Sequence, residues 1–169
     1  VIPNGYDVGT FHPDFGARAS VRKALGLSED IPIIGMVARF DPQKDHRTFI
    51  RAAQLLHRDR PDAHFLLCGM ELTWENQVLT RWIDDAGLRT HCHLLGRRDD
   101  DIANVTAALD IASLSSSYGE GFPNVVSEAM CCGIPCVVTD VGDAALVVCL
   151  TGLVVPQSNP AAFADAWRT

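Results

Sequence analysis

Short, nearly continuous apolar runs alternate with longer amphipathic ones along this chain. The runs are "IPIIGMVARF", "AHFLLCG", "HCHLLG", "DIASLSS", "IPCVVTD" and "TGLVVP". Runs of this length with little polar alternation are expected of strands buried on both faces. Between them the spacing changes to that of helices. After "DPQKD", Phe49, Ala52, Ala53 and Leu56 fall at i, i+3, i+4 and i+7, one helical stripe. Residues 74–86 carry Val78, Trp82 and Ile83 on a polar background, which predicts an amphipathic helix. "DDIANVTAAL" predicts a short helix with acidic residues at its N-terminal end, where the dipole favours them. Residues 124–132 predict a small-residue helix closed by Gly133 as its C′ residue. "SNPAAFADAW" starts a last helix, with Ser158 or Asn159 as N-cap and Pro160 at the first helical position. "VIPNGYD" holds an apolar pair and an Asn-Gly turn signal, residues 8–22 are irregular, and a short helix is expected over 17–26.

Strands alternating with helices argue for an α/β domain. The expected fold is a doubly wound, Rossmann-like parallel sheet of about six strands with helices on both faces. A length of 169 residues suits one domain, taken as 1–169. In such sheets ligands bind beyond the carboxyl ends of the strands. The loops to watch are therefore 39–45, 69–73, 96–100, 116–123 and 140–144.

Composition narrows the partners. The net charge is −7, so a groove for nucleic acid or anionic lipid is not expected. No signal-peptide pattern and no apolar run of membrane-spanning length is read in these residues. The six cysteines, Cys68, Cys92, Cys131, Cys132, Cys136 and Cys149, form no CxxC pair and mostly lie in apolar runs. Buried free thiols in a reducing, cytoplasmic setting are expected. "HCHLLG" puts only His91 and His93 on one side of a strand, a poor metal site, and no metal is expected. The chain starts at Val1 and stops within a helical pattern, so one domain of a longer protein is expected.

Two constellations carry chemistry. Arg39 and Lys44 lie in the loop after the first strand. A planar fork and a point charge suit a diphosphate, although both cations could instead pair with Asp41 or Asp45. The second constellation is "YGEGFPNVVSEAMCCG". Gly119 and Gly121 allow close backbone approach, and Pro123 suits the first turn of a helix. The N–H groups of Asn124 and Val125 open a helix whose N-terminus can attract phosphate. Glu120 precedes that helix and Glu128 lies about one turn inside it. Each can accept sugar or ribose hydroxyls. The plainer readings are dipole stabilisation for Glu120 and an exposed helix position for Glu128. GxGxxG after the first strand, GxxxxGK[ST] and GxSxG are all absent. Hydride-transfer, P-loop and serine-nucleophile readings lose their support, and serines 115–117 read as strand-end residues.

These residues resemble a known family. "EGFPNVVSEAMCCGIPCVVTDVG" looks like the signature of the large retaining glycosyltransferase family 4 (glycosyl transferases group 1) of the GT-B fold, whose two glutamates are separated by seven residues, as Glu120 and Glu128 are. "VIPNGYDVGTFHP" resembles the opening of that family's C-terminal domain, "VARFDPQKD" its Arg-and-Lys loop and "LLGRRDD" its base-binding loop. The resemblance implies a donor-binding domain for a nucleotide-diphosphate sugar. Glu128 would bind the ribose, Glu120 the donor sugar, and Arg39 and Lys44 the diphosphate. Gly121, Phe122, Pro123, Asn124 and Val125 would complete the phosphate and sugar contacts, and Gly96 and Arg97 would lie against the base. No cofactor or metal is implied. The acceptor, a glycan, lipid-linked glycan or small glycoside of polysaccharide biosynthesis, would bind an N-terminal domain outside this chain. Donor binding without turnover is therefore expected of the chain alone, with peripheral membrane contact only through the missing parts. The sequence departs from the family in two loops. The second strand ends in Gly69-Met70-Glu71 where Gly-x-Gly is usual, and "AALVVCLTG" follows "TDVGD" without an acidic spacer. The alternatives are a nucleotide-sugar epimerase of GT-B architecture and a non-catalytic nucleotide-sugar-binding module.

Overall fold

The apolar runs pair edge to edge, all in one direction. β1 (Ile33–Val37), β2 (His64–Cys68), β3 (Cys92–Leu94), β4 (Ile111–Leu114), β5 (Cys136–Thr139) and β6 (Leu153–Val155) form one sheet in the order β3-β2-β1-β4-β5-β6. Every pairing is parallel. Parallel neighbours cannot be joined by a hairpin turn, and here helices make the crossovers. α1 (Phe15–Ala24) precedes the sheet, and α2 (His46–His57), α3 (Gln77–Asp85), α4 (Ile102–Ala107), α5 (Asn124–Cys131) and α6 (Ala144–Val148) join successive strands. α7 (Pro160–Ala166) follows β6. The computed structural model describes residues 5–169, so "VIPN" of the opening turn lies outside the described residues. No helix among the described residues is long and apolar enough to cross a membrane.

Burial explains why the strands show no alternation. Ile34, Met36, Phe65 and Leu67 join one apolar cluster, with Phe49, Leu56, Ile83, Phe163 and Trp167. Their neighbours Ile33, Leu66 and Cys68 face the other way, against Val105 and Leu109. Successive side chains point to opposite faces, and both faces are covered at the central strands, whereas Leu153 and Val154 of the edge strand β6 are exposed. α2 packs with α3 and α7, whereas α4 packs with α1 and α5, and α5 with α6.

The helix signals act through identifiable caps. Asp45 caps α2 by accepting the Thr48 N–H at 3.1 Å. Asn159, not Ser158, caps α7, with Pro160 in its first turn. The helix expected over 74–86 starts only at Gln77, because the Asn76 side chain accepts the N–H groups of Val78 and Leu79. That start turns Val78 outward, 51% exposed, and Leu79 with Ile83 forms the buried stripe. The first helix likewise runs over Phe15–Ala24 rather than 17–26, because Asp14 accepts the Ala17 N–H. α6 (Ala144–Val148) follows the loop expected at 140–144, over residues to which the sequence reading assigned no element. It is five residues long and buries Ala144 and Val148, too little sequence to show a period.

One charged residue of the first helix is buried at the base of the sheet. Arg22 is 1% exposed. Its Nε donates to the Ala108 carbonyl at 3.1 Å, and its Nη1 to the carbonyls of Ser28, Glu29 and Ile31. Its Nη2 meets Asp110 Oδ2 at 2.5 Å, and that same oxygen accepts the Ile33 N–H at 2.7 Å. Arg18 Nη2 holds the other Asp110 oxygen at 2.7 Å. The cluster ties α1, the α4–β4 junction and the first residue of β1 together. A buried guanidinium is tolerable only while its partners remain, so truncating either partner leaves uncompensated polar groups. Arg22→Ala is therefore expected to cost roughly 3 kcal/mol in urea denaturation. Arg168→Ala, which removes exposed pairs to Asp59 and Asp165, is expected to change stability by less than about 0.5 kcal/mol.

Candidate functional site

Strand order reverses between β1 and β4, which are neighbours in the sheet. The chain leaves β1 toward β2 on one side and leaves β4 toward β5 on the other. The two loops therefore sit side by side above the carboxyl ends of the strands, at the switch point where such sheets bind ligands.

The β1 loop is shaped by a 3-10 turn at Pro42–Lys44, capped by Asp41, which accepts the Gln43 N–H at 2.9 Å. The β4 loop is laced to it. The Ser117 N–H donates to the Gln43 carbonyl at 2.8 Å, Gln43 Nε2 donates to the Gly119 carbonyl at 2.9 Å, and Ser115 Oγ donates to the Lys44 carbonyl at 2.9 Å. On this platform Lys44 Nζ reaches Glu120 Oε1 at 2.5 Å, and Ser116 Oγ donates to the same oxygen. The Lys44 and Glu120 side chains are only 14% and 7% exposed, so the pair lies within the crevice wall rather than on a solvated rim. The loop after β5 closes the third side. Gly142 has φ +56°, and a Cβ there would overlap the Glu120 carbonyl. The Asp143 N–H donates to the Gly121 carbonyl at 3.2 Å.

The remaining expected residues are placed differently. Arg39 is exposed and donates to Asp41 Oδ2 at 3.0 Å. The Gln43 N–H and then Arg39 hold the Asp41 carboxyl below the usual carboxylate range. Of the alternatives open for the two cations, Arg39 takes Asp41, whereas Lys44 takes Glu120 and neither aspartate. Pro123 stands at the N-cap position, one residue before the first helical turn, and α5 ends at Cys131 rather than at 132. Phe122 stacks on Tyr6 with ring centroids 6.4 Å apart, and Tyr6 Oη donates to Asn124 Oδ1 at 3.1 Å. Val125 is half-buried against the core. Glu128 is half-buried on α5, and its carboxylate makes no hydrogen bond or ion pair with a described residue. Burial pushes its pKa up. Gly96 is buried with φ +63°, donates to the Leu72 carbonyl and accepts the Gly69 N–H. Arg97 is exposed and pairs with Asp99 at 2.8 Å. The structure thus brings Lys44 and Glu120 into contact, while no described hydrogen bond or ion pair joins Arg39, Glu128 or Arg97 to them.

Sequence reasoning missed Ser116, Gln43, Tyr6 and Gly142. The glycine in "TDVGD" was the one available signal, since a glycine between a strand and a helix often marks a close backbone approach. At the other edge of the sheet, His93 Nε2 lies 2.9 Å from His64 Nδ1, and the His91 ring stands 4.2 Å from that of His57. No group of three or more His, Cys, Asp or Glu among the described residues is arranged to hold a metal ion.

The fold is the Rossmann-like one of GT-B glycosyltransferases. The Anabaena HepE structure in complex with UDP-glucose superposes with a TM-score of 0.87 at 27% identity, over 97% of this chain and 45% of that one. The chain belongs to the glycosyl transferases group 1 family, which residues 17–169 match. A curated relative, the UDP-Gal:alpha-D-GlcNAc-diphosphoundecaprenol alpha-1,3-galactosyltransferase of Escherichia coli, is 34% identical over 143 residues. That match covers 83% of this chain and 36% of the relative. The C-terminal domain of a glycosyl transferase group 1 protein (LpcC) from Francisella tularensis shares the fold over 86% of its own length, with a TM-score of 0.81 at 24% identity. The chain therefore spans well under half the length of the curated relative.

Two stability predictions follow from buried polar groups at the site. His46, next to the Lys44 turn, is 1% exposed, and neither ring nitrogen has a hydrogen-bond partner among the described residues. Burial pushes its pKa down to about 4, and burial does the same to His64. Below the ordinary value of 6.5 the unfolded chain binds protons that the folded chain refuses, so stability is held above that pH and lost as pH falls from 6.5 toward 4. Urea denaturation across that window is expected to show this decline, less steep in His46→Leu. Glu128 has the opposite sign. Its raised pKa means that the charged form weakens the fold as pH rises past 4.5. Glu128→Gln is expected to melt at the same temperature as the parent at pH 7, or higher, by calorimetric scan.

Proposed function

We propose that this chain is the donor-binding domain of a retaining glycosyltransferase of family 4, holding a nucleotide-diphosphate sugar in the β1–β4 crevice. One observation carries the reading. The buried Lys44–Glu120 pair puts a cation and a hydroxyl-accepting carboxylate at one point of the switch crevice, beside the start of α5. A diphosphate needs the first and a sugar the second. The UDP-glucose held by HepE and the UDP-Gal donor of the Escherichia coli relative support a nucleotide sugar as the ligand.

In this reading Lys44 and the exposed Arg39 meet the diphosphate, together with the backbone N–H groups of Asn124 and Val125 at the α5 N-terminus. Gly121, Phe122 and Pro123 shape the turn that lets phosphate approach. Glu120 accepts hydroxyls of the sugar, and Glu128, without a hydrogen-bond partner among the described residues, accepts those of the ribose. Gly96 and Arg97 flank the base. Transfer breaks the bond between the anomeric carbon and the diphosphate oxygen and forms one to an acceptor oxygen, with retention. Charge grows on the departing diphosphate, where preorganised cations and the helix dipole lower the barrier. These residues serve without a metal or cofactor. The acceptor and the remaining catalytic groups belong to a further, N-terminal domain of a longer cytoplasmic protein, so this chain alone binds donor without turning it over.

Calorimetric titration with UDP, GDP and ADP and with their sugars tests the reading. One nucleotide series is expected to bind, and Glu128→Gln, a variant expected to keep its fold, to weaken it about tenfold, as loss of a charge-assisted hydrogen bond does. Absence of binding across the panel, or undiminished binding by the variant, sinks the proposal.

A further inference from the structure

The serine run at 115–117 contains a group that the nucleotide-sugar reading leaves unused. Ser116 is fully buried just past β4, at 0% exposure, and its hydroxyl donates to Glu120 Oε1. Its own carbonyl accepts Thr139 Oγ1 at 2.6 Å, from a residue equally buried at the end of β5. Glu120 Oε1 therefore has two partners of different character. Lys44 is a charge on a long, flexible stem. Ser116 is a neutral donor two bonds from a backbone that the core and Thr139 hold still. Oε2 makes no hydrogen bond with a described residue.

A diphosphate entering beside the β1 loop carries more charge than one carboxylate and competes for Lys44. When Lys44 leaves, Oε1 loses its charged partner and gains a lone pair free for a sugar hydroxyl. Gly142 and Asp143 still hold the loop backbone, but only Ser116 still holds the carboxylate. We infer that Ser116 is the positioning residue that keeps the Glu120 carboxylate aimed at the donor sugar once Lys44 has passed to the diphosphate. This rests on the nucleotide-sugar reading above. In the free chain Lys44 and Glu120 neutralise each other, and in the complex the diphosphate takes over the cation while Ser116 and the sugar hydroxyls satisfy the anion.

The test measures the sugar increment, the ratio of affinities for a nucleotide sugar and its bare nucleoside diphosphate. The probes are UDP with UDP-glucose, GDP with GDP-mannose and ADP with ADP-glucose, titrated calorimetrically into the chain. Ser116→Ala deletes the donor, and Ser116→Cys keeps the shape but donates weakly. Melting curves identify the variants that remain folded. Both are expected to lower the increment, Ser116→Ala by about tenfold, with a smaller change for the bare diphosphate. A purely structural serine would lower both affinities together. That outcome overturns the inference, as does an increment unchanged in both variants, or no increment in the unaltered chain. Failure of every nucleotide to bind the unaltered chain overturns the functional reading itself, and this inference with it.

Discussion

The candidate site depends on β1 and β4 lying side by side while their crossovers leave in opposite directions. That adjacency joins segments far apart in sequence, and it is clamped at both ends of the strands. At the base, Asp110 accepts the Ile33 N–H and is itself held by the buried Arg22. At the top, Ser115 and Ser117 bond the backbone of the Pro42–Lys44 turn and its flank. Between the clamps the pairing is short, from Ile34 with Ile111 to Gly35 with Ala112. Two strands with so brief a ladder gain their fixed spacing from these end contacts, and that spacing lets a lysine from one loop reach a glutamate from the other.

Polar groups in and near the loops above the sheet divide into satisfied and unsatisfied ones. Glu120 is buried and fully engaged on one oxygen, by a cation and a hydroxyl. Glu128 is half-buried with no such partner, and His46 is buried with two orphan nitrogens. Burying a carboxylate without a partner opposes folding, so a position like that of Glu128 is stable only because the rest of the core carries it. Arg22 is the counter-case, a buried charge whose three nitrogens all find acceptors. It holds the frame, whereas the Glu128 carboxylate has no hydrogen-bond partner among the described residues.

The alternation of apolar runs and helical stripes determined the doubly wound sheet, because strands covered on both faces must be apolar at every position and crossover helices at every third or fourth. Caps written into local sequence, such as Asn159-Pro160, placed helix starts for the same local reason. The spacing of Glu120 and Glu128, with Arg39 and Lys44, pointed to the glycosyl transferases group 1 family, and of these four residues the structure brings Lys44 and Glu120 into contact. Tertiary structure decided the rest. Lys44 had Asp41 and Asp45 nearby in sequence, yet it pairs with Glu120, 76 residues away, because strand order makes that loop its neighbour. Ser116 read as a strand end, and only the return of its loop put Glu120 over its hydroxyl. Val78, read as part of the apolar stripe of its helix, is exposed, and Leu79, which the sequence reading did not single out, is buried with Ile83. Local patterns are legible wherever burial imposes a period. A partner chosen across the sheet follows from register and strand order, which no local period encodes.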